Sequence, residues 1–329
     1  MSDLSDDNVR MWDSENPIRL GISSCLLGEP VRFDGGHKRD EFLTDVLGRF
    51  VEWVPVCPEV EIGLSTPRDT IRLQGDNSDP HLVVTKTGVD ITHTMKSFSA
   101  VRVEQLREAD LCGYVLKKGS PSCGLHRVRV YNDSGMPGSS GRGLFAAALV
   151  AGAPNLPLEE EGRLNDPALR ENFVERIFAF RRLKDLLASG PSPRAVVAFH
   201  TAHKLQLMSH SPVEYRALGR LVAEAGTADM GTLLSDYAGG FMSALAVPAT
   251  RAKNTDVLQH CLGHLKGLLD SEIKADLASA VENYRLGLTP LIVPITLLSH
   301  YVKRLEIDYL AGQAYLEPHP KEMMLRNHG

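Results

Sequence analysis

The sequence lacks an apolar run of about 18 residues, so it offers no candidate for a membrane-spanning helix. It lacks a basic excess: 36 Lys and Arg against 41 Asp and Glu leave a net charge of −5, and no global cationic surface points to a polyanion. A local cationic groove in an acidic protein still holds phosphate, so RNA stays open. Cysteine is scarce: five in 329 residues, an odd number at wide spacings, with no Cys-x-x-Cys pair. That argues against a disulfide framework and against the usual redox relay. There is no Gly-Lys-Ser/Thr phosphate loop, so ATP is not expected, and no His-Glu-x-x-His. The opening "MSDLSDDNVRMWDSENP" lacks the basic start and apolar core of a secretory signal. The expected location is the cytoplasm, where thiols stay reduced and cysteines are buried, metal-binding or catalytic.

What is present is an ordinary globular composition, 43% hydrophobic and 23% charged, at a length that suits two domains. Residues 1–16 read as a flexible leader. Residues 17–154 read as an α/β domain with a mostly parallel sheet and flanking helices. "IRLGIS", "VEWVPV" and "LCGYVL" have the character of buried strands, and "HRVRVYN" of a less buried one. "RDEFLTDVLGRF" predicts a helix of about three turns, and "THTMKSFSAVRVEQLREAD" a longer one. The Gly/Ser stretch at 135–143 reads as a loop leading into the helix "LFAAALVAG". Residues 155–164 read as a linker, 165–312 as an all-α domain of six or seven helices, and 313–329 as a tail. Helix starts in that domain carry Asn/Asp or Ser caps followed by Pro.

Three cysteines stand just past predicted strands: Cys25 in "GISSCLLGEP", Cys57 in "VPVCPEVEIGL" and Cys123 in "KKGSPSCGLH". In a parallel sheet, ligands gather beyond the carboxyl ends of the strands, so all three converge on one rim. Each is flanked by Gly or Pro that bends the chain, which a core cysteine does not require. Cys112, inside a strand, and Cys261, on a helix, read as small buried hydrophobes. Three thiolates on one rim suit a zinc ion with a fourth ligand from His37, His126 or Glu59. They equally suit an iron–sulfur cluster with one open iron, or unmetallated thiols. Spacing alone leaves these options open.

"SSCLLGEPVRFDGG", "VPVCPEVEIGLSTPRD" and "KKGSPSCG", in this order, resemble the thiouracil desulfidase (TudS) family over roughly residues 18–152. The second half, with "VAFHTAHKLQLMSHSPVEYRALGRLV", is similar to the helical domain fused to TudS in RudS-type desulfidases, which act on 4-thiouridine in transfer RNA. The resemblance implies a [4Fe-4S] cluster on Cys25, Cys57 and Cys123 with one unprotected iron. It implies Glu59 for proton handling and Ser120 near the open iron, with Ser122 as the second choice. Glu61, where many relatives have glycine, is an extra carboxylate. The implied activity is non-redox hydrolytic removal of sulfur from a thiolated uracil, giving uridine and hydrogen sulfide. The implied partner is thiolated tRNA, or alternatively free thiouracil or a thiouridine nucleotide.

Arg32 and Asp34 in "VRFDGG" and Arg68 in "STPRD" read either as an ion pair holding loops or as substrate contacts. Arg142, at the end of the Gly/Ser stretch, reads as an anion site at a helix start. His200, His203, His210, His260 and His264 invite a metal, but their neighbours suggest packing. With Lys204, Arg251, Lys253, Lys303 and Arg304 they read as a solvated face or a phosphate-facing one. A rival from another class is a metal-stabilised RNA-binding or redox-sensing module. The oligomeric state is open.

Overall fold

The structure, a computed structural model, describes residues 17–132 and 134–328. The leader expected at 1–16 lies outside the described residues. Two compact units meet in the sequence between Asp166 and Pro167.

The first unit is built on a four-stranded, wholly parallel sheet. Its strands are β1 (Ile18–Ser23), β2 (Val51–Val56) and two more named below. The short helix α1 (Pro58–Glu61) follows β2 directly. Then come β3 (Ile71–Gln74), β4 (His81–Val84), helix α2 (Thr92–Glu108) and β5 (Leu111–Leu116). Next are β6 (Val128–Tyr131), β7 (Pro137–Gly141), helix α3 (Leu144–Gly152) and β8 (Leu158–Glu160). The parallel sheet runs in the order β2-β1-β5-β8. Every residue of β5 is buried, as the continuous apolar run "LCGYVL" requires of a parallel strand covered on both faces. Tyr114 of β5 lies flat over Gly21 of β1, where a Cβ would come within 2.0 Å of its ring. Helices α2 and α3 pack on each other, and Phe145 meets Phe98 and Tyr114.

Of a second sheet, in the order β4-β3-β6-β7, the sequence reading held only β6, the strand expected in "HRVRVYN". The sheet also corrects the loop expected at 135–143. Residues 137–141 form β7 and pair antiparallel with β6. Gly141 admits this close approach, since a Cβ there would sit 2.4 Å from Val130. The regular helix expected over "RDEFLTDVLGRF" is instead a π turn (Phe42–Val46) followed by a 3-10 turn (Leu47–Arg49). This winding leaves Leu43 and Leu47 both fully buried. The linker expected at 155–164 is also corrected. It supplies β8, which pairs with β5, and the 3-10 turn Arg163–Asn165.

The second unit is helical, as expected: α4 (Pro167–Ala188), α5 (Pro193–His210), α6 (Pro212–Ala223), α7 (Met230–Ala246), α8 (Arg251–Leu265), α9 (Ser271–Arg285), α10 (Ile292–Arg304) and the short α11 (Asp308–Ala311). Ser192, Ser211, Asp229, Thr250 and Asp270 cap α5 to α9, each side chain accepting a backbone N–H three residues on. The segment expected as a tail, 313–329, is packed. Tyr315 is fully buried, and Arg326 bonds to Glu171 and Glu175 of α4. No helix of the described residues is long and apolar enough to cross a membrane.

This unit buries His200, His203 and His210, which the sequence reading considered for a surface, and His319, which it did not single out. Burial pushes His203 down to about 3 and His319 to about 4, with Arg182 and Arg326 adding to the effect. An unfolded histidine takes up a proton near 6.5, so below that pH the unfolded chain binds more protons and stability falls. Glu171, raised by its burial, opposes this slope above the ordinary carboxyl range. Glu175, held low by Arg326 and His210 against its own burial, steepens it below that range. The thermal midpoint of the helical unit is therefore expected to fall by about 5 °C or more between pH 7 and pH 4, most steeply at the acid end. Far-UV circular dichroism across that range measures it. A midpoint that rises on acidification contradicts the assignment.

Candidate metal centre and active site

Because β1 lies between β2 and β5 and all three run parallel, their carboxyl ends emerge side by side. Cys25 sits in the 3-10 turn that follows β1. Cys57 immediately follows β2, as the residue that caps α1. Cys123 lies on the loop beyond β5. All three line one cavity of about 430 Å³. Cys25 and Cys123 are buried, Cys57 is half-buried, and none is in a disulfide. Cys112 and Cys261 are fully buried elsewhere, as core residues.

Burial pushes the Cys25 thiol up to about 11, against the pull of the Lys117 ammonium. Cys57 is raised by burial too, and Cys123 is raised well above its ordinary value by burial and then by Glu59. Each of Cys25 and Cys123 also feels the charge of Cys57, which places the three sulfurs in one electrostatic environment. Thiols in such surroundings become thiolates only when a cation joins them. Among the described residues these three sulfurs do not all lie within 4.8 Å of one another. A single tetrahedral zinc would draw its sulfurs to about 3.8 Å, from Zn–S bonds of about 2.3 Å. As they stand, the three sulfurs are not gathered for a single ion. Neither His37 nor His126 lines the cavity; both are exposed. Of the three residues expected to supply a fourth zinc ligand, only Glu59 reaches the cavity, and its carboxylate is bonded to Arg68.

Glu59 stands on α1 over the same cavity. One carboxylate oxygen is bound by the Arg68 guanidinium, which is itself buried. The other accepts hydrogen bonds from the hydroxyls of Ser120 at 3.3 Å and Ser122 at 3.1 Å. Ser120 lines the cavity, while Ser122 is fully buried behind it. The Ser120 oxygen also accepts the N–H groups of Ser122 and Cys123, which fixes the turn carrying the cysteine. Glu61 faces away. It accepts the Cys57 N–H at 3.0 Å, closing the first turn of α1, and pairs with Arg102 of α2 at 3.1 Å. The two carboxylates therefore have different surroundings, and only Glu59 reaches the cavity.

Arg32 lines the cavity; its buried Nε makes no hydrogen bond but lies 3.5 Å from the Asp34 carboxylate, a loose ion pair. Asp34 lies outside the lining and accepts the Gly36 N–H. Arg142 also lies outside and donates to the Leu125 carbonyl. The first N–H groups of α3, read from sequence as an anion site, are bonded to the carbonyls of Pro121 and Ser122. That helix start holds the cysteine loop; Gly143 allows the contact, since a Cβ there would meet the Ser122 carbonyl at 2.4 Å. Lys38, Lys117 and Lys118 line the cavity and were not singled out in the sequence. Lys117 directly follows β5, so its place at the same strand-end rim was available as a signal. In the helical unit His200, His203 and His210 are buried and line no surface, whereas His260 and His264 face solvent, 3.4 Å apart. Glu171, Glu175 and His319 lie at single-ion spacing, but the Arg326 guanidinium occupies both carboxylates.

The family described as 2-thiouracil desulfurase matches residues 20–161, and a protein family of unknown function, DUF1722, matches residues 204–320. The uncharacterized protein YbgA of Escherichia coli is 32% identical over 155 residues, 47% of this chain and 92% of its own length. The uncharacterized protein YbbK of Bacillus subtilis is 31% identical over 150 residues, 44% of this chain and 97% of its own. A solved structure titled [4Fe-4S]-dependent thiouracil desulfidase TudS is 33% identical. It covers 46% of this chain and 97% of its own, with a TM-score of 0.39.

The different surroundings of the two glutamates have measurable consequences. Glu59→Ala leaves a buried guanidinium unpaired and is expected to cost roughly 3 kcal/mol of stability. Glu61→Ala removes a helix-start hydrogen bond and a half-exposed ion pair, and is expected to cost about 1 kcal/mol. Denaturant titration of both variants gives the order; Glu61→Ala proving the more damaging would reverse the assignment.

Proposed function

The chain belongs to the 2-thiouracil desulfurase family, joined to a DUF1722 region, and on that premise we propose that it hydrolyses the carbon–sulfur bond of a thiolated uracil, most specifically 4-thiouridine in tRNA. The observation that carries the reading is the shared cavity of Cys25, Cys57, Cys123 and Glu59. The donor set fits the [4Fe-4S] cluster that the sequence resemblance implies: three cysteine sulfurs at one cavity, not gathered at single-ion spacing, with neither His37 nor His126 beside them and Glu59 already bonded to Arg68. Bound by Cys25, Cys57 and Cys123, such a cluster would supply a soft Lewis-acidic iron suited to a thiocarbonyl sulfur.

The remaining steps belong to the chain's own side chains. Glu59 accepts a proton from water as the water oxygen bonds to the ring carbon. The carbon–sulfur bond then breaks, the sulfur leaves with its electron pair, Glu59 returns the first proton to it, and the proton of the added hydroxyl passes to it through solvent as the carbonyl forms, giving carbonyl and hydrogen sulfide. Nothing is oxidised or reduced. Arg68 holds the carboxylate in one orientation, and Ser120 and Ser122 aim its second oxygen. Arg32, held at the cavity wall only by a loose ion pair to Asp34, offers a donor to a uracil oxygen or to a phosphate. Lys38 and Lys118 add positive charge there, which favours a substrate bearing phosphate over a free base. The DUF1722 region is read as the part that recognises RNA.

Anaerobic reconstitution with iron and sulfide, followed by assay of released sulfide, tests this. Thiolated tRNA is expected to be turned over with no added reductant, and Glu59→Gln is expected to lower kcat about 10²–10⁴-fold. Turnover of free thiouracil alone would narrow the substrate to the base. An obligatory stoichiometric reductant would sink the hydrolytic reading.

A further inference from the structure

The acidic run "LEEEG", which composition reads as linker, sits against the loop that carries Cys123. Strand β8 extends the parallel sheet from β5, with Leu116 opposite Glu160, so its last residues lie beside the point where the cysteine loop leaves β5. Glu160 is 2% exposed, and one oxygen accepts the backbone N–H of Leu125 at 2.8 Å and of His126 at 3.1 Å. Glu161 bonds the Lys117 ammonium through one oxygen and the Lys118 N–H at 2.7 Å through the other. The two carboxylates therefore grip the loop at both ends, before Gly119 and after Gly124, with Ser120, Ser122 and Cys123 between.

We propose that Glu160 is a positioning residue for Cys123, holding the loop in the shape that aims this sulfur into the centre. A buried carboxylate is costly unless its charge is met. Glu160 has no cation partner among the described residues; two N–H groups meet its charge, and both belong to the two residues after Gly124. A backbone held by charge-assisted bonds does not relax to suit a misplaced ligand. Glu161 acts at the other end and also sets where the Lys117 ammonium stands relative to Cys25. Outer partners of this kind weaken metal binding about 10–100-fold when removed. The inference rests on the reading of the three cysteines as a metal centre.

The test uses the full chain, reconstituted anaerobically with iron and sulfide, and measures iron retained per chain against increasing chelator. Glu160→Ala is expected to give up its iron at about 10–100-fold lower chelator. Glu160→Gln, whose amide oxygen still accepts both N–H groups, is expected to recover most of the difference. Val130→Ala, a core truncation in the second sheet of the same unit, serves as the control for stability alone and should retain iron as the unaltered chain does. If Glu160→Ala does not fold, Glu160→Asp, which keeps the charge but shortens its reach, reads the same effect. Glu160→Ala holding iron as firmly as the unaltered chain, or no worse than Val130→Ala at equal thermal midpoint, overturns the inference. An unaltered chain that takes up no iron overturns the reading of the centre and this inference with it.

Discussion

Three thiols share one cavity because β1 lies between β2 and β5 in a parallel sheet, so the chain turns at the same rim after each strand. Each strand must end at the same rim, and the residue beyond it must either face the cavity or be lost from it. Desolvation then keeps the thiols protonated, most firmly at Cys123. Lys117 and Arg32 are the cations that offset this at Cys25, and they are too few to ionise all three sulfurs. The arrangement gains a stable charged form only by taking up positive charge of its own. That requirement separates the trio from Cys112 and Cys261, whose burial is ordinary packing.

The helical unit solves a similar problem in the opposite way. Glu171 and Glu175 lie as close together as the ligands of an ion, yet Arg326 supplies the positive charge from within the chain. His210 completes the set, with one ring nitrogen on Glu175 and the other on the Val247 carbonyl. The C-terminal segment that carries Arg326 is thereby anchored to α4, and a divalent cation at the same carboxylates would face an uncompensated guanidinium. Adjacent carboxylates are thus weak evidence for a metal unless the nearest cation is also accounted for.

The parallel strands and their cysteines were legible in the sequence because each combines a strong apolar run with an abrupt turn. Most helices of the second unit were legible through their Ser-Pro or Asp starts. The second sheet was not, because β3, β4 and β7 are short, and β7 is drawn mainly from Gly, Ser and Pro. Such strands exist through backbone pairing with a neighbour, which a local reading does not see. Glu160 and Glu161 were hidden for a related reason. A run of three glutamates after Pro has the composition of a solvated linker, and only the neighbouring loop's unpaired N–H groups give it another use. At the centre, the choice between Glu59 and Glu61 depended on which face of a four-residue helix met the cavity.

On the proposed reading, the two hydroxyls on Glu59 are not equivalent, and the difference matters for how a carboxylate so well bonded can still accept a proton. Ser122 is fully buried, and its carbonyl is tied to the first N–H groups of α3, so its hydroxyl stays where it is. Ser120 faces the cavity and makes the longer bond, 3.3 Å. A water or substrate entering the cavity can take over that contact without disturbing the turn, because the Ser120 oxygen remains anchored by the N–H groups of Ser122 and Cys123. Displacing one donor frees a lone pair on the oxygen that faces the cavity, while Arg68 keeps the other oxygen fixed. Entry of the reactant thus opens one position on Glu59 to a water while the rest of the carboxylate's contacts stay in place.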